Sequence, residues 1–338
     1  MSQALQVAVV GAAGLIGRAI LELLAERQFP ATRVLALDEA GYEGETVSYG
    51  NLELDVRPLD EVSFDNIDLA FFVAGSDVTR QLAPQARAAG TAVVDFSAAF
   101  RLDAQVPFIV PRINGASLAD AADAPLVSVP NCTVTPLAVA LHALSAHGLR
   151  RVTVSTYQSV SGTGQAALEA LADQTTALFG QREVETSVYP KRIAFNLLPK
   201  IGDVLEDGAS SEEQSVIDEV RRLLGLPSLT VEATCVRVPV FFGHAWAVHV
   251  ALERPLEIDR ARKLLAANGI HVVDDPKRED GFATPMEVAG SDRIWVSRVR
   301  ATADGLAFWL TADNVRVGAA LNCVEVAETL LKAGKLPS

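Results

Sequence analysis

Apolar residues come in short unbroken runs in the first part of the chain and in alternating or helical patterns later. LQVAVV (5–10) is a run closed by a glycine, the pattern of a strand buried on both faces of a parallel sheet. GAAGLIG follows, then LIGRAILELLAERQ with helical spacing, then VLALD as a second strand. The unit repeats: DLAFFVAG predicts a strand, TRQLAPQARAAG a helix and TAVVDFS a strand. This alternation predicts an α/β fold, a Rossmann-like doubly wound parallel sheet, to about residue 130. VSV then ends a strand, PNCT breaks it, and VTPLAVALHALSAHG predicts a helix, which puts Cys132 between the two.

Beyond Cys132 the pattern changes. VTVSTYQSVSGTG reads as a strand ending in a Gly/Ser loop, and QAALEALADQTTALFG as a long helix. SSEEQSVIDEVRRLLG is an amphipathic helix, acidic at its start and basic near its end, as the helix dipole favours. TVEATCVRVPVFFGHAWAVHVAL, RIWVSRVRATADG and LAFWLTADN read as strands. Together they predict a second, α+β domain over 131–314, after a first domain of 1–130. The closing stretch, 315–335, reads as one helix that returns to the first domain.

Composition narrows the class. A chain of 338 residues, 49% apolar and 21% charged, has enough for two cores and is not disordered. The net charge of −13, with no Lys/Arg cluster, argues against nucleic acid or anionic membranes as partners. Cys132, Cys235 and Cys323 are odd in number and far apart, which fits a reducing compartment, the cytoplasm. MSQALQVAVVG lacks the basic start of a signal peptide, and no run of about 18 apolar residues could span a membrane. No metal site is expected.

Gly11, Gly14 and Gly17, with Ala13, Leu15 and Ile16 between them, follow a strand and open a helix, where backbone N–H groups can hold a pyrophosphate. The same spacing also serves a plain strand–helix turn. Asp38 closes the second strand. A carboxylate there can bond the ribose 2′-OH of NAD and repel the 2′-phosphate of NADP, or simply be a solvated turn. Cys132, at a helix start, is either a reactive thiolate or a core cysteine. Among the histidines, His244 follows Gly243 at a break in a strand, where a side chain can be aimed into a cleft. Arg237 lies in the apolar strand VRVPV and needs an anion, from the protein or from a ligand.

GAAGLIG, ERQFP, DFSAAFR, VPNCT, TYQSVSGTG, IAFNLLP, CVRVPVFFGH and DNVRVGAALN occur in the order and spacing of the aspartate-semialdehyde dehydrogenase family, which the chain resembles along nearly its whole length. The resemblance implies a phosphorylating aldehyde dehydrogenase, interconverting aspartate semialdehyde and aspartyl phosphate through a cysteine thioester. NAD or NADP would be the cofactor and inorganic phosphate the co-substrate. It implies Cys132 as nucleophile, His244 as acid/base group and Gln158 as the residue that orients the intermediate. Arg237 would grip the substrate α-carboxylate and Glu219 its amino group, while Arg101, Asn131 and Arg222 would bind phosphate. Ser161, Gly162 and Asn314 would join the glycine turn and Asp38 around the cofactor. A homodimer formed through the second domain is implied as well. The residues alone also allow Glu219 and Arg222 to be a surface pair on the amphipathic helix.

The departures from the family cluster. Its 2′-phosphate loop is here DEAGYEGE (38–45), with Gly41 in place of the arginine, Glu39 and Tyr42 in place of serines, and Glu45 in place of a lysine. That exchange of cation for anion favours NAD over NADP. Arg112, Ser215, Phe96 and Val317 also replace family residues: an acid, a lysine, an asparagine and a lysine. Three readings follow: an oxidoreductase using NAD(H), the standard NADPH-dependent enzyme, or a non-catalytic paralogue that binds a small molecule or a partner subunit.

Overall fold

In the computed structural model, which describes residues 5–336, the short apolar runs build a seven-stranded sheet. Its strands are β1 (Leu5–Val10), β2 (Ala31–Asp38), β3 (Thr46–Tyr49), β4 (Leu52–Pro58), β5 (Leu69–Phe72), β6 (Ala92–Asp95) and β7 (Leu126–Ser128). The order is β3-β4-β2-β1-β5-β6-β7, and every pair is parallel except the β3–β4 hairpin. That antiparallel edge is absent from the sequence reading because its residues are mostly polar and exposed, so no apolar run marks it. Helices α1 (Leu15–Glu26), α2 (Ser76–Ala88) and α3 (Pro111–Asn114) belong to the same unit. The sheet order reverses at β1, which lies between β2 and β5. In open α/β sheets that switch point is where ligands bind, beyond the carboxyl ends of the strands.

This first unit runs to Asn131 and resumes at Ala319; the second is Cys132–Gly318. The closing stretch is not one regular helix. Arg316–Ala320 is a wide π turn, and α9 (Leu321–Lys332) follows it. Two ion pairs within the first unit hold α9: Arg27 donates to both carboxylate oxygens of Glu328 at 2.8 and 2.7 Å, and Arg112 pairs with Glu325 at 2.9 Å. The first four residues, read as carrying no secretory leader, lie outside the described residues. No helix among the described residues is long and apolar enough to cross a membrane.

The second unit holds a six-stranded mixed sheet, β11-β12-β13-β10-β8-β9. Its strands are β8 (Leu149–Gln158), β9 (Thr230–Arg237), β10 (His244–Leu252), β11 (His271–Val272), β12 (Trp295–Ala301) and β13 (Gly305–Ala312). Alternation sets the faces: Val152, Val154, Thr156 and Gln158 are buried, while Arg151, Thr153 and Tyr157 are exposed. Helix α4 (Val134–Leu144) is apolar all round and almost wholly buried, as a central helix must be. The others are α5 (Gln165–Phe179), α6 (Ser211–Leu224), α7 (Ile258–Ala267) and α8 (Pro285–Val288). Helix α6 starts with a capping box, Ser210 with Glu213, and stops at Gly225 in the left-handed conformation. The sequence reading passes over α7, a short helix with charges between its few buried positions.

Glycine is obligatory where α1 crosses the turn that precedes it. A Cβ on Gly17 would lie 2.2 Å from the Gly11 carbonyl oxygen, whereas one on Gly41 would meet nothing within 4 Å. Gly17→Ala should therefore destabilise the fold by about 1–3 kcal/mol, the usual range for overpacking. Gly41→Ala should leave the midpoint of urea unfolding, followed by circular dichroism, unchanged. Equal midpoints for the two variants would contradict this packing.

Candidate active site

The first unit supplies the glycine turn. Gly11, with φ 95°, and Ala12 both donate to the Leu37 carbonyl, at 2.8 and 3.1 Å. Ala13 N–H donates to Asp38 Oδ2 at 2.8 Å, and Glu39 N–H to Asp38 Oδ1 at 2.9 Å. Asp38 is buried, so the carboxylate expected at a ribose faces inward and braces the turn. Gly14 caps α1 without a side chain, and the first helical turn has no acid. Helix geometry leaves the N–H groups of Leu15, Ile16 and Gly17 without intrahelical acceptors. They fit a pyrophosphate. Around the turn, Glu39 is exposed and Glu45 pairs with Arg18 at 3.2 Å.

Arg101 and Asn131 also belong to the first unit. The Arg101 guanidinium is buried, donates to the carbonyls of Val129 (3.2 Å) and Phe96, and lies 5.3 Å from the Phe96 ring centroid. Phe96, which stands where the family has asparagine, thus supports the arginine by a cation–π contact.

The second unit brings the other expected residues together. Strands β10, β8 and β9 are neighbours, and their register places His244, Gln158 and Arg237 at one end of the sheet. All three are buried. Cys132 approaches from the amino end of α4, its Sγ 3.9 Å from His244 Nε2. Gly243 makes the break before His244: its φ is 86°, and a Cβ there would lie 2.6 Å from the Pro285 carbonyl. Gly162 packs on both neighbours, with a Cβ position 2.8 Å from an Arg237 nitrogen and 3.2 Å from the His244 ring.

His244 Nδ1 accepts the Ser159 N–H at 3.1 Å. An acceptor nitrogen carries no proton, so the neutral ring holds its hydrogen on Nε2, facing Cys132. Burial, and then the Arg237 charge, hold the imidazole well below its ordinary pKa. Behind it, Asn314 Oδ1 accepts from Ser159 Oγ, from Ser161 Oγ (both 3.0 Å) and from Gly243 N–H (3.2 Å). Ser161 and Asn314, expected as cofactor contacts, point their side chains into this support.

Arg237 donates to the Ser159 carbonyl at 2.8 Å, and its buried Nε has no hydrogen-bond partner. No carboxylate among the described residues forms an ion pair with it, which removes the buried-salt-bridge reading. Gln158 Nε2 donates to Thr133 Oγ1 at 2.6 Å and to Glu212 Oε1 at 2.8 Å. On α6, Glu219 is buried and accepts from Ser215, and Arg222, one turn on, is half-buried.

Sequence reasoning missed Glu212, Thr133, Ser159 and Gly318. A Cβ on Gly318, in the π turn, would lie 2.9 Å from that of Cys132. Thr133 and Ser159 are chain neighbours of residues already singled out, but only the folded contacts reveal what they do. The remaining cysteines are inert by burial. The Cys235 thiol is pushed up to about 12, and Cys323 is raised by burial and then by the Asp95 charge.

Two family models match. One, described as "Semialdehyde dehydrogenase, NAD binding domain", covers residues 6–121; the other, "Semialdehyde dehydrogenase, dimerisation domain", covers 140–317. An aspartate-semialdehyde dehydrogenase of Rickettsia bellii (strain RML369-C) is 40% identical over 337 residues, 98% of this chain and 99% of that protein. One from Legionella pneumophila is 41% identical over 335 residues, 98% of this chain and 96% of that protein. The crystal structure of aspartate semialdehyde dehydrogenase II complexed with ASA from Vibrio cholerae is similar at a TM-score of 0.94 and 36% identity. It covers 98% of this chain and 99% of that one.

Iodoacetamide at pH 7.5 should alkylate the native protein at Cys132 alone. Peptide mapping should find Cys235 and Cys323 modified only after unfolding. Followed from pH 5 to 8, the alkylation rate should carry no step near the ordinary imidazole value of about 6.5. A step there that vanishes in His244→Asn would mean that the ring is charged.

Proposed function

The chain belongs to the semialdehyde dehydrogenase family, and from that premise we propose that it interconverts aspartate semialdehyde and aspartyl phosphate through a thioester on Cys132. The observation that carries this reading is the pairing of Cys132 Sγ with a neutral His244 at 3.9 Å, beside an arginine whose buried Nε has no partner. The whole reaction takes aldehyde, phosphate and oxidised cofactor to acyl phosphate, reduced cofactor and a proton.

The Cys132 thiolate attacks the aldehyde carbon, and its negative charge passes to the former carbonyl oxygen. His244 Nε2–H is aimed at the sulfur, so it serves as a fixed donor to the thiolate and then to that oxyanion. The family's acid/base assignment becomes, in this geometry, that of a neutral donor, because Ser159 N–H occupies Nδ1. A neutral imidazole polarising an oxygen is established chemistry elsewhere. Arg237 offers its guanidinium to the substrate α-carboxylate, and Glu219 takes the amino group. Arg222 is the phosphate-binding candidate of the second unit, and Arg101 and Asn131 are those of the first; phosphate displaces sulfur from the thioester. A nicotinamide dinucleotide, when bound at Gly11–Gly17, supplies the hydride exchange. The intact cluster leaves nothing that favours a non-catalytic paralogue.

NAD is the preferred carrier. A 2′-phosphate beside the 38–45 loop would meet Glu39, Glu43 and Glu45, while Arg18 is already paired with Glu45. The preference comes from this loop charge rather than from a free Asp38 carboxylate. A homodimer fits the matched dimerisation domain and the exposed sheet face of Arg151, Thr153 and Tyr157. The three free thiols fit the cytoplasm.

With aspartate semialdehyde and phosphate, kcat/KM for NAD should exceed that for NADP by at least about ten-fold, since each like charge near the 2′-phosphate costs on the order of 1 kcal/mol. A preference for NADP would overturn the assignment. Arg237→Lys should raise KM for the aldehyde by about ten-fold or more while changing kcat less, because a charge-assisted bond is lost. An unchanged KM would take the α-carboxylate away from Arg237.

A further inference from the structure

Glu212 stands in the first turn of α6, where the helix dipole favours a carboxylate. Its Oε1 accepts from Thr133 Oγ1 at 2.9 Å and from Gln158 Nε2 at 2.8 Å. Those two partners are bonded to each other at 2.6 Å, so three side chains close a ring. Thr133 and Gln158 are almost wholly buried. Thr133 follows Cys132 in the chain and stands just before α4, while Gln158 ends β8.

A carboxylate has lone pairs and no proton to give. The amide end facing it must therefore be the NH2 of Gln158, which turns Oε1 the other way, towards Thr156 Oγ1 at 3.4 Å. A neutral acceptor such as an amide could reverse its own ends and would permit either orientation. The carboxylate permits one. The same oxygen also ties down the turn that carries Cys132.

We propose that Glu212 is a positioning residue: its carboxylate fixes which end of the Gln158 amide faces the reacting centre and anchors the Cys132–Thr133 turn. The role rests on the reaction proposed above, in which Gln158 orients the intermediate. The neighbouring Glu213 serves as a control, because it caps α6 and accepts the Cys235 N–H at 2.9 Å, with no bond to Gln158.

The test compares Glu212→Ala, Glu212→Gln, Glu213→Ala and Gln158→Ala with the double variant Glu212→Ala/Gln158→Ala. Glu212→Ala should lower kcat about 10- to 100-fold, the scale of a misplaced catalytic group. Glu212→Gln should fall between it and the wild type, and Glu213→Ala should keep kcat near wild type even where it lowers the melting temperature. In the Gln158→Ala background Glu212→Ala should cost nothing further, because the two act through one amide. Additive losses, or equal kcat for Glu212→Ala and Glu213→Ala, would overturn the proposal. A readout free of the substrate is the side-chain amide signal of Gln158 in 15N-glutamine-labelled protein, assigned by its loss in Gln158→Ala. That signal should move in Glu212→Ala and stay in Glu213→Ala. If the wild type does not turn over aspartate semialdehyde, the reaction assigned above fails and the amide signal alone decides the clamp: an unmoved signal in Glu212→Ala rejects it.

Discussion

A buried guanidinium next to a buried imidazole is tolerable only if the imidazole is neutral, and much of the second unit serves that condition. Ser159 sorts the two with its own peptide groups. Its carbonyl accepts from Arg237, and its N–H donates to His244 Nδ1. The cation is left short of an anion and the ring short of a proton. Both deficits point at a substrate: a carboxylate for the arginine, and developing negative charge for the Nε2 hydrogen. Gly162 and Gly243 let the backbone come close enough for this, and Asn314 Oδ1 gathers the Ser159 and Ser161 hydroxyls and the Gly243 N–H behind the ring. Leaving a cation buried without an anion costs stability, a cost that the carboxylate of the proposed substrate would offset.

The residues legible in the sequence were those that break a local rule. Arg237 interrupts an apolar strand, His244 follows a glycine inside one, and Cys132 sits where a strand pattern ends. Each violation is visible within a few residues. Glu212 breaks no rule, because a glutamate in the first turn of a helix is what the dipole prefers, and its use depends on partners far away in the chain. Gly318 looks like any small residue in an apolar run until its backbone is found against Cys132. Asp38 shows the same limit in another form. Spacing puts a carboxylate at the strand end, but the Ala13 amide, made available by the turn, decides where it points. The β3–β4 edge had too little apolar surface to leave a trace.

Departures that looked like lost phosphate contacts have local structural roles. Phe96 lies against the Arg101 guanidinium, Ser215 donates to the buried Glu219, and Arg112 pairs with Glu325 to hold α9. Val317 is buried in the π turn beside Gly318, where a lysine would have to be desolvated. These replacements leave the Cys–His–Gln–Arg cluster untouched and adjust its supports instead.

The inward-facing Asp38 has a bearing on how the carrier could change during descent. Because its carboxylate holds the glycine turn, replacing it would loosen the scaffold shared by any dinucleotide. The neighbouring loop is under no such obligation: Glu39 and Tyr42 are exposed, and Gly41 has open space where a side chain would grow. Selection can therefore rewrite the electrostatics at Glu39, Gly41 and Tyr42 one codon at a time while the fold stays indifferent. On the function proposed above, the fixed brace and the loop beside it would separate binding a dinucleotide at all from choosing among them.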